Sequence, residues 1–144
     1  MIVDVEFRER YWYPDDGGEV WVSGYQLVDA DGHFIGRDAL PPGLLVASVA
    51  GAIHRPDALA SALAAPGCRL VLRAEPENVH DPAAVAVDLS SGEPLGYVPR
   101  ELAPLVDETW SAVVLRERRR SPRDPRDGVT MLLSDSPVEL RVRR

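Results

Sequence analysis

Short apolar stretches with a period of two recur along the chain, the spacing that puts alternate side chains on one face of a strand. Ile2, Val3, Val5 and Phe7, then Val20, Trp21, Val22 and Tyr25, flank the turn sequence Pro14-Asp15-Asp16-Gly17-Gly18. This predicts a hairpin. A second turn, Asp29-Ala30-Asp31-Gly32, leads into His33-Phe34-Ile35, and Pro41-Pro42-Gly43 closes the segment. The apolar run at residues 44–50 ends at Gly51 and reads as a buried strand whose glycine permits a bulge or a close backbone approach. Further strands are expected at residues 69–73, 83–88, 95–98, 110–116, 129–133 and 138–142.

Two stretches read as helices. Pro56 suits a first helical turn, Asp57 faces the positive end, Leu59 and Leu63 fall four apart, and Pro66-Gly67 stops the element. Residues 100–109 predict a second helix that Pro104 must kink or split. Several short strands with two short helices indicate a mainly β (α+β) chain and a small barrel. At 144 residues the chain fits one domain. Its expected organisation is an acidic, strand-rich extension at residues 1–43, packed through its aromatic side chains on a main domain at residues 44–144.

Between the expected strands at 69–73 and 83–88 stands Glu75-Pro76-Glu77-Asn78-Val79-His80-Asp81-Pro82. A two-residue turn would join two strands, yet this connection carries an amide, an imidazole and several carboxylates. Long polar loops on a rigid scaffold are where binding groups are usually held.

Composition narrows the classes. No apolar run approaches the roughly 18 residues of a membrane span, and the start has no basic region followed by an apolar one. A cytoplasmic protein without membrane contact is expected. Cys68 is the single cysteine, which excludes an internal disulfide and a cysteine-based zinc site and suits a small half-buried residue at a strand start. His33, His54 and His80 have no metal-ligand spacing, and neither a phosphate loop nor a nucleophile elbow is present. No metal, cofactor or catalytic residue is expected.

The net charge of −7 is uneven. Residues 1–43 hold nine acids and three arginines, while residues 44–144 hold fourteen acids and thirteen arginines. Every basic residue is arginine, a planar fork that binds phosphate bidentately.

The run Leu70-Val71-Leu72-Arg73-Ala74-Glu75-Pro76-Glu77-Asn78-Val79-His80-Asp81-Pro82-Ala83-Ala84-Val85-Ala86-Val87, followed by Leu95-Gly96-Tyr97-Val98-Pro99-Arg100-Glu101-Leu102-Ala103, resembles the HIRAN domain. In that family a strand ending in Glu-Pro leads to Asn-x-(His/Tyr)-Asp, an alternating strand, and Gly-Tyr-(Val/Leu)-Pro-(Arg/Lys). The resemblance covers roughly residues 44–143. It implies a small OB-like or SH3-like β-barrel that binds single-stranded or end-exposed DNA in repair or replication, without catalysis of its own. Such domains occur fused to helicase-like enzymes, so a helicase or nuclease is a candidate protein partner.

Carried over residue by residue, the resemblance implies that His80 stacks on a terminal base and that Asp81 accepts a hydrogen bond from the 3′-hydroxyl. Asn78 would shape the loop or touch the nucleotide, and Arg73, Tyr97 and Arg100 would lie along the adjoining groove. The better-studied DNA binders of the family carry an arginine and aromatics where this chain has Ala47-Ser48-Val49-Ala50-Gly51. One wall of the stacking pocket must then come from elsewhere.

Each signal has a plainer reading. Asp81 and Asn78 suit Asx-type turns, Glu75 and Glu77 solvated loop positions, and Tyr97 a barrel wall. The stretch of residues 116–126 holds six arginines and reads as a flexible loop, solvated or offering secondary phosphate contacts through Arg118, Arg119 and Arg120. Two other function classes stay open: a protein-interaction module whose acidic extension covers or replaces the DNA face, and a metal-dependent nuclease using Glu75, Asp81 and Asp88. Asp88 itself is expected on an exposed strand position.

Overall fold

The computed structural model describes residues 1–12 and 20–143. Nine strands are present among them: β1 (Ile2–Trp12), β2 (Val20–Leu27), β3 (Leu44–Ser48), β4 (Arg69–Ala74), β5 (Val85–Leu89), β6 (Pro94–Tyr97), β7 (Ser111–Arg119), β8 (Gly128–Ser134) and β9 (Glu139–Val142). The expected turn at residues 14–18 lies outside the described residues, but the strands on either side pair antiparallel from Val5↔Leu27 to Trp12↔Val20.

β7 organises the sheet because it is long enough to take two neighbours along one edge. β4 pairs with its start at Ala112 and Val113, and β2 with its end at Arg116 to Arg119. β8 occupies the other edge and β3 lies beyond it. The approach of β2 to β7 requires Gly24, where a Cβ would stand 2.3 Å from the Leu115 carbonyl oxygen at a φ of +145°. β1 follows β2, and β9 adds in parallel to the outer edge of β1.

Alternation along β3, β7 and β8 sends side chains to two separate cores. Ala47, Ala112, Val114, Met131 and Leu133 join Leu59, Val87, Leu89 and Leu95 in the larger one. Leu44, Val113, Leu115 and Leu132 face the other way and bury Val5, Leu27 and Val138. Strands buried on both faces read as continuous apolar runs, as Val113-Val114-Leu115 and Met131-Leu132-Leu133 do. Residues 1–43 therefore supply part of a second core.

The pairing path β3-β8-β7-β4-β5-β6 returns to its beginning at one point. Ala50 and Tyr97 exchange backbone hydrogen bonds of 2.8 and 2.9 Å. No ladder extends from that bridge, so the mainly β expectation holds while the sheet stays open rather than forming the closed barrel expected. The reason is local. The Val49 amide still donates to Val129 on β8, Gly51 then turns the chain away at a φ of 75°, and Pro99 offers no amide beyond β6.

Both expected helices are shorter than their periodicity suggests. The helix α1 spans only Pro56–Ala60, because Ser61 adopts an extended ψ of 143° and its hydroxyl accepts from the Leu63 amide, restarting the chain as a 3₁₀ turn at Ala62–Ala64. Leu59 is buried and Leu63 is not. In residues 100–109 only the 3₁₀ turn Ala103–Leu105 forms, since Pro104 removes a donor. Cys68 is half-buried just before β4, as expected. No described helix is long and apolar enough to cross a membrane.

Candidate nucleic-acid interface

The loop between β4 and β5 is built by its own polar side chains. The Asn78 Oδ1 accepts from the amides of His80 at 2.9 Å and Asp81 at 3.1 Å, while its Nδ2 donates to Glu75 at 3.0 Å. The Asp81 Oδ1 accepts from the Ala83 amide at 3.0 Å, an Asx turn before β5. The turn readings of Asn78 and Asp81 thus describe what both side chains do here.

Glu75 departs from its expected place among solvated loop residues. It is a hub, accepting from Asn78, from the Tyr97 hydroxyl at 2.9 Å and from Arg73 at 2.9 Å. The Asn78 amide, the Tyr97 hydroxyl and Arg73 hold its carboxyl below the usual glutamate range, and Tyr97 is pushed up in turn by its hydrogen bond to Glu75. Only the sequence separation of Arg73 and Glu75, two residues apart at the end of β4, hinted at this contact.

One groove gathers most of the predicted residues. It has a volume of about 380 Å³ and is lined by Ala50, Asn78, His80, Asp81, Tyr97 and Arg100, with Ala84 and Val98 at its base. The Ala50–Tyr97 bridge fixes one wall, to which Ala50 contributes only a methyl group. His80 is exposed, and the second Asp81 oxygen lies 3.9 Å from the Arg100 Nε. The Arg100 side chain is 84% exposed, so this contact is weak and easily exchanged for a ligand.

Arg73 lies outside that groove. Its guanidinium donates to Asp88 at 2.9 and 3.3 Å as well as to Glu75, which raises its pKa further. Asp88 is buried rather than exposed as expected, because Arg73 covers it. With that guanidinium between Glu75 and Asp88, the three carboxylates of the nuclease reading do not converge. The ligand atoms that do meet among the described residues belong to Asp29, Asp31 and His33, all exposed, within 4.8 Å of one another. There Asp29 closes a turn by accepting from the Asp31 and His33 amides.

The arginine-rich stretch begins as strand rather than loop. β7 runs through Arg119, three residues further than expected. Arg118 pairs with Asp127 at 3.0 Å, and Arg119 with the buried Glu117 at 3.1 Å. Arg126 donates to Glu117 as well, and to the carbonyls of Leu59 and Ser61 at 2.8 and 2.9 Å, tying the turn to α1. Burial alone would raise the Glu117 pKa, but hydrogen bonds from Arg126 and Arg119 hold it low. Of the three expected phosphate contacts, Arg118 and Arg119 are engaged in ion pairs, and Arg120 is exposed.

A family model described as the HIRAN domain matches residues 43–134. The chain belongs to the HIRAN family. HIRAN domains are nucleic-acid-binding modules, which agrees with a DNA-binding role for this one. The matched stretch contains every residue of the His80–Asp81 groove, whereas β1 and its two partners β2 and β9 lie outside it. No match was found among curated proteins or solved structures.

Proposed function

We propose that this HIRAN domain binds single-stranded or end-exposed DNA, with a preference for a free 3′-hydroxyl, in repair or in handling stalled replication, and acts by binding alone. The observation that carries the reading is the division of labour at Asp81. One carboxylate oxygen holds the turn through the Ala83 amide, and the other stands in the groove 3.9 Å from Arg100. A carboxylate is a poor neighbour for an internal phosphodiester, but it is a good acceptor for a terminal hydroxyl. Arg100 beside it suits the last phosphate, and the exposed His80 ring offers a stacking surface of about 1–3 kcal/mol per base.

The acidic charge of residues 1–43 supports a second reading, a protein-interaction module in which the extension covers the DNA face. Against it, none of the described residues of the extension lines the His80–Asp81 groove. Anisotropy titrations in low salt with oligonucleotides ending in a 3′-hydroxyl or a 3′-phosphate separate the two. The hydroxyl end is expected to bind roughly tenfold tighter, the size of one hydrogen bond to a charged group, and Asp81→Ala to erase that preference in a folded protein. Equal, weak binding of both ends would sink the 3′-end reading.

A further inference from the structure

A second groove lies where the N-terminal strands meet β3, β7 and β8, and its electrostatics differ from the rest of the molecule. Two adjoining cavities of about 360 and 180 Å³ share Trp12, Val22, Arg37 and Arg116. Arg10 lines the smaller one as well, and no carboxylate does so among the described residues. In the larger cavity Glu117 and Asp127 are present, but they are held by Arg119, Arg126 and Arg118.

Arg116 is the decisive residue. It is half-buried on β7, and one of its nitrogens donates to the Tyr25 carbonyl at 2.9 Å and to Gln26 at 3.4 Å. Neither contact neutralises it, and its Nε and other amino group have no hydrogen-bond partner among the described residues. Burial and the neighbouring charges of Arg37 and Arg10 pull its pKa below the ordinary arginine range. A desolvated cation facing two like charges is stabilised by an anion that reaches all three. Beside them Trp12 is 58% exposed, with the Arg10 guanidinium 5.7 Å from its ring centroid. An arginine groove with an exposed aromatic is the arrangement that tracks a single strand, phosphate on cation and base on ring.

We propose that this groove is a second nucleic-acid site, in which Arg10, Arg37 and Arg116 hold a backbone phosphate of a single strand and Trp12 stacks on an adjacent base. It shares no lining residue with the His80–Asp81 groove and does not depend on the 3′-end reading.

The test uses a labelled oligothymidine whose 3′-phosphate disables hydroxyl recognition. Titrated over a series of salt concentrations, the exposed-site variant Arg37→Gln is expected to bind several-fold more weakly. Its plot of log affinity against log salt should be shallower by about 0.7, the value for one lost contact to a single strand. Trp12→Ala is expected to lose about fivefold or more with the slope unchanged, as for one lost base stack. Wild-type affinity and slope in both Arg37→Gln and Trp12→Ala would overturn the site. Competition by polyglutamate as strong as by the unlabelled oligonucleotide at equal charge would assign the groove to an acidic protein instead.

Discussion

The loop of residues 75–82 and the arginine-rich stretch of residues 116–126 are both polar excursions between strands, and they use their charge in opposite ways. In the first, hydrogen bonds accepted by Asn78 and Asp81 from nearby amides, and one donated by Tyr97 to Glu75, build a scaffold that leaves His80 and one Asp81 oxygen facing a groove. In the second, Arg118, Arg119 and Arg126 are drawn onto Asp127 and Glu117, and the segment becomes strand and anchored turn. Formal charge therefore says little about which groups can meet a ligand. What matters is whether a partner lies within reach. Arg116 makes the point within a single strand: three residues before Arg119, it pairs with no acid among the described residues and faces Arg10 and Arg37 instead.

The comparison breaks most visibly at Glu117. Glu117→Ala removes a buried carboxylate shared by two arginines, and loss of one member of a buried ion pair costs about 3–5 kcal/mol. Urea unfolding should show that loss, whereas a change under 1 kcal/mol would mean that the stretch is solvated after all. A smaller effect is expected in the other loop. Asn78→Ala strips the acceptor from two amides and a donor from Glu75, at a cost of about 1–2 kcal/mol, and the same unfolding curves measure it.

The smallest expected effect is a pH dependence centred on Glu75. Its folded pKa lies below the ordinary value of 4.5, so its contribution is full above that value and is lost as pH falls through the lower, folded one. The stability difference between the wild type and Glu75→Gln should hold steady from neutral pH down to about 5 and close as the pH falls below 4.5. A difference that widens on acidification would contradict the hub role of Glu75.

Much of the architecture was legible in alternation and turn chemistry. The strands around β4, β5 and β6, the hairpin of β1 and β2, and the family motif from Arg73 to Arg100 all stand where the sequence pattern puts them. The helices end sooner than periodicity predicts, because periodicity carries no information on a hydroxyl such as that of Ser61 competing for a backbone amide. Arg73 lies outside the His80–Asp81 groove for a related reason. Its position at the end of a strand beside the motif is visible, but its partner Asp88 lies fifteen residues away and meets it only through the β4–β5 register, in which Arg73 pairs with Ala86.

The sequence alone determines a HIRAN domain that is mainly β, with a polar loop whose Asn78 and Asp81 form turns, because these are properties of neighbouring residues. The tertiary structure decides which charges remain available. Pairing Arg118 with Asp127, burying Glu117 between two arginines and bringing Arg10 and Arg37 to Arg116 all depend on strands distant in the chain lying side by side. Electrostatic partnership acts over a few ångströms of space and is indifferent to sequence distance, so only the folded sheet distinguishes a neutralised arginine from one that still needs an anion.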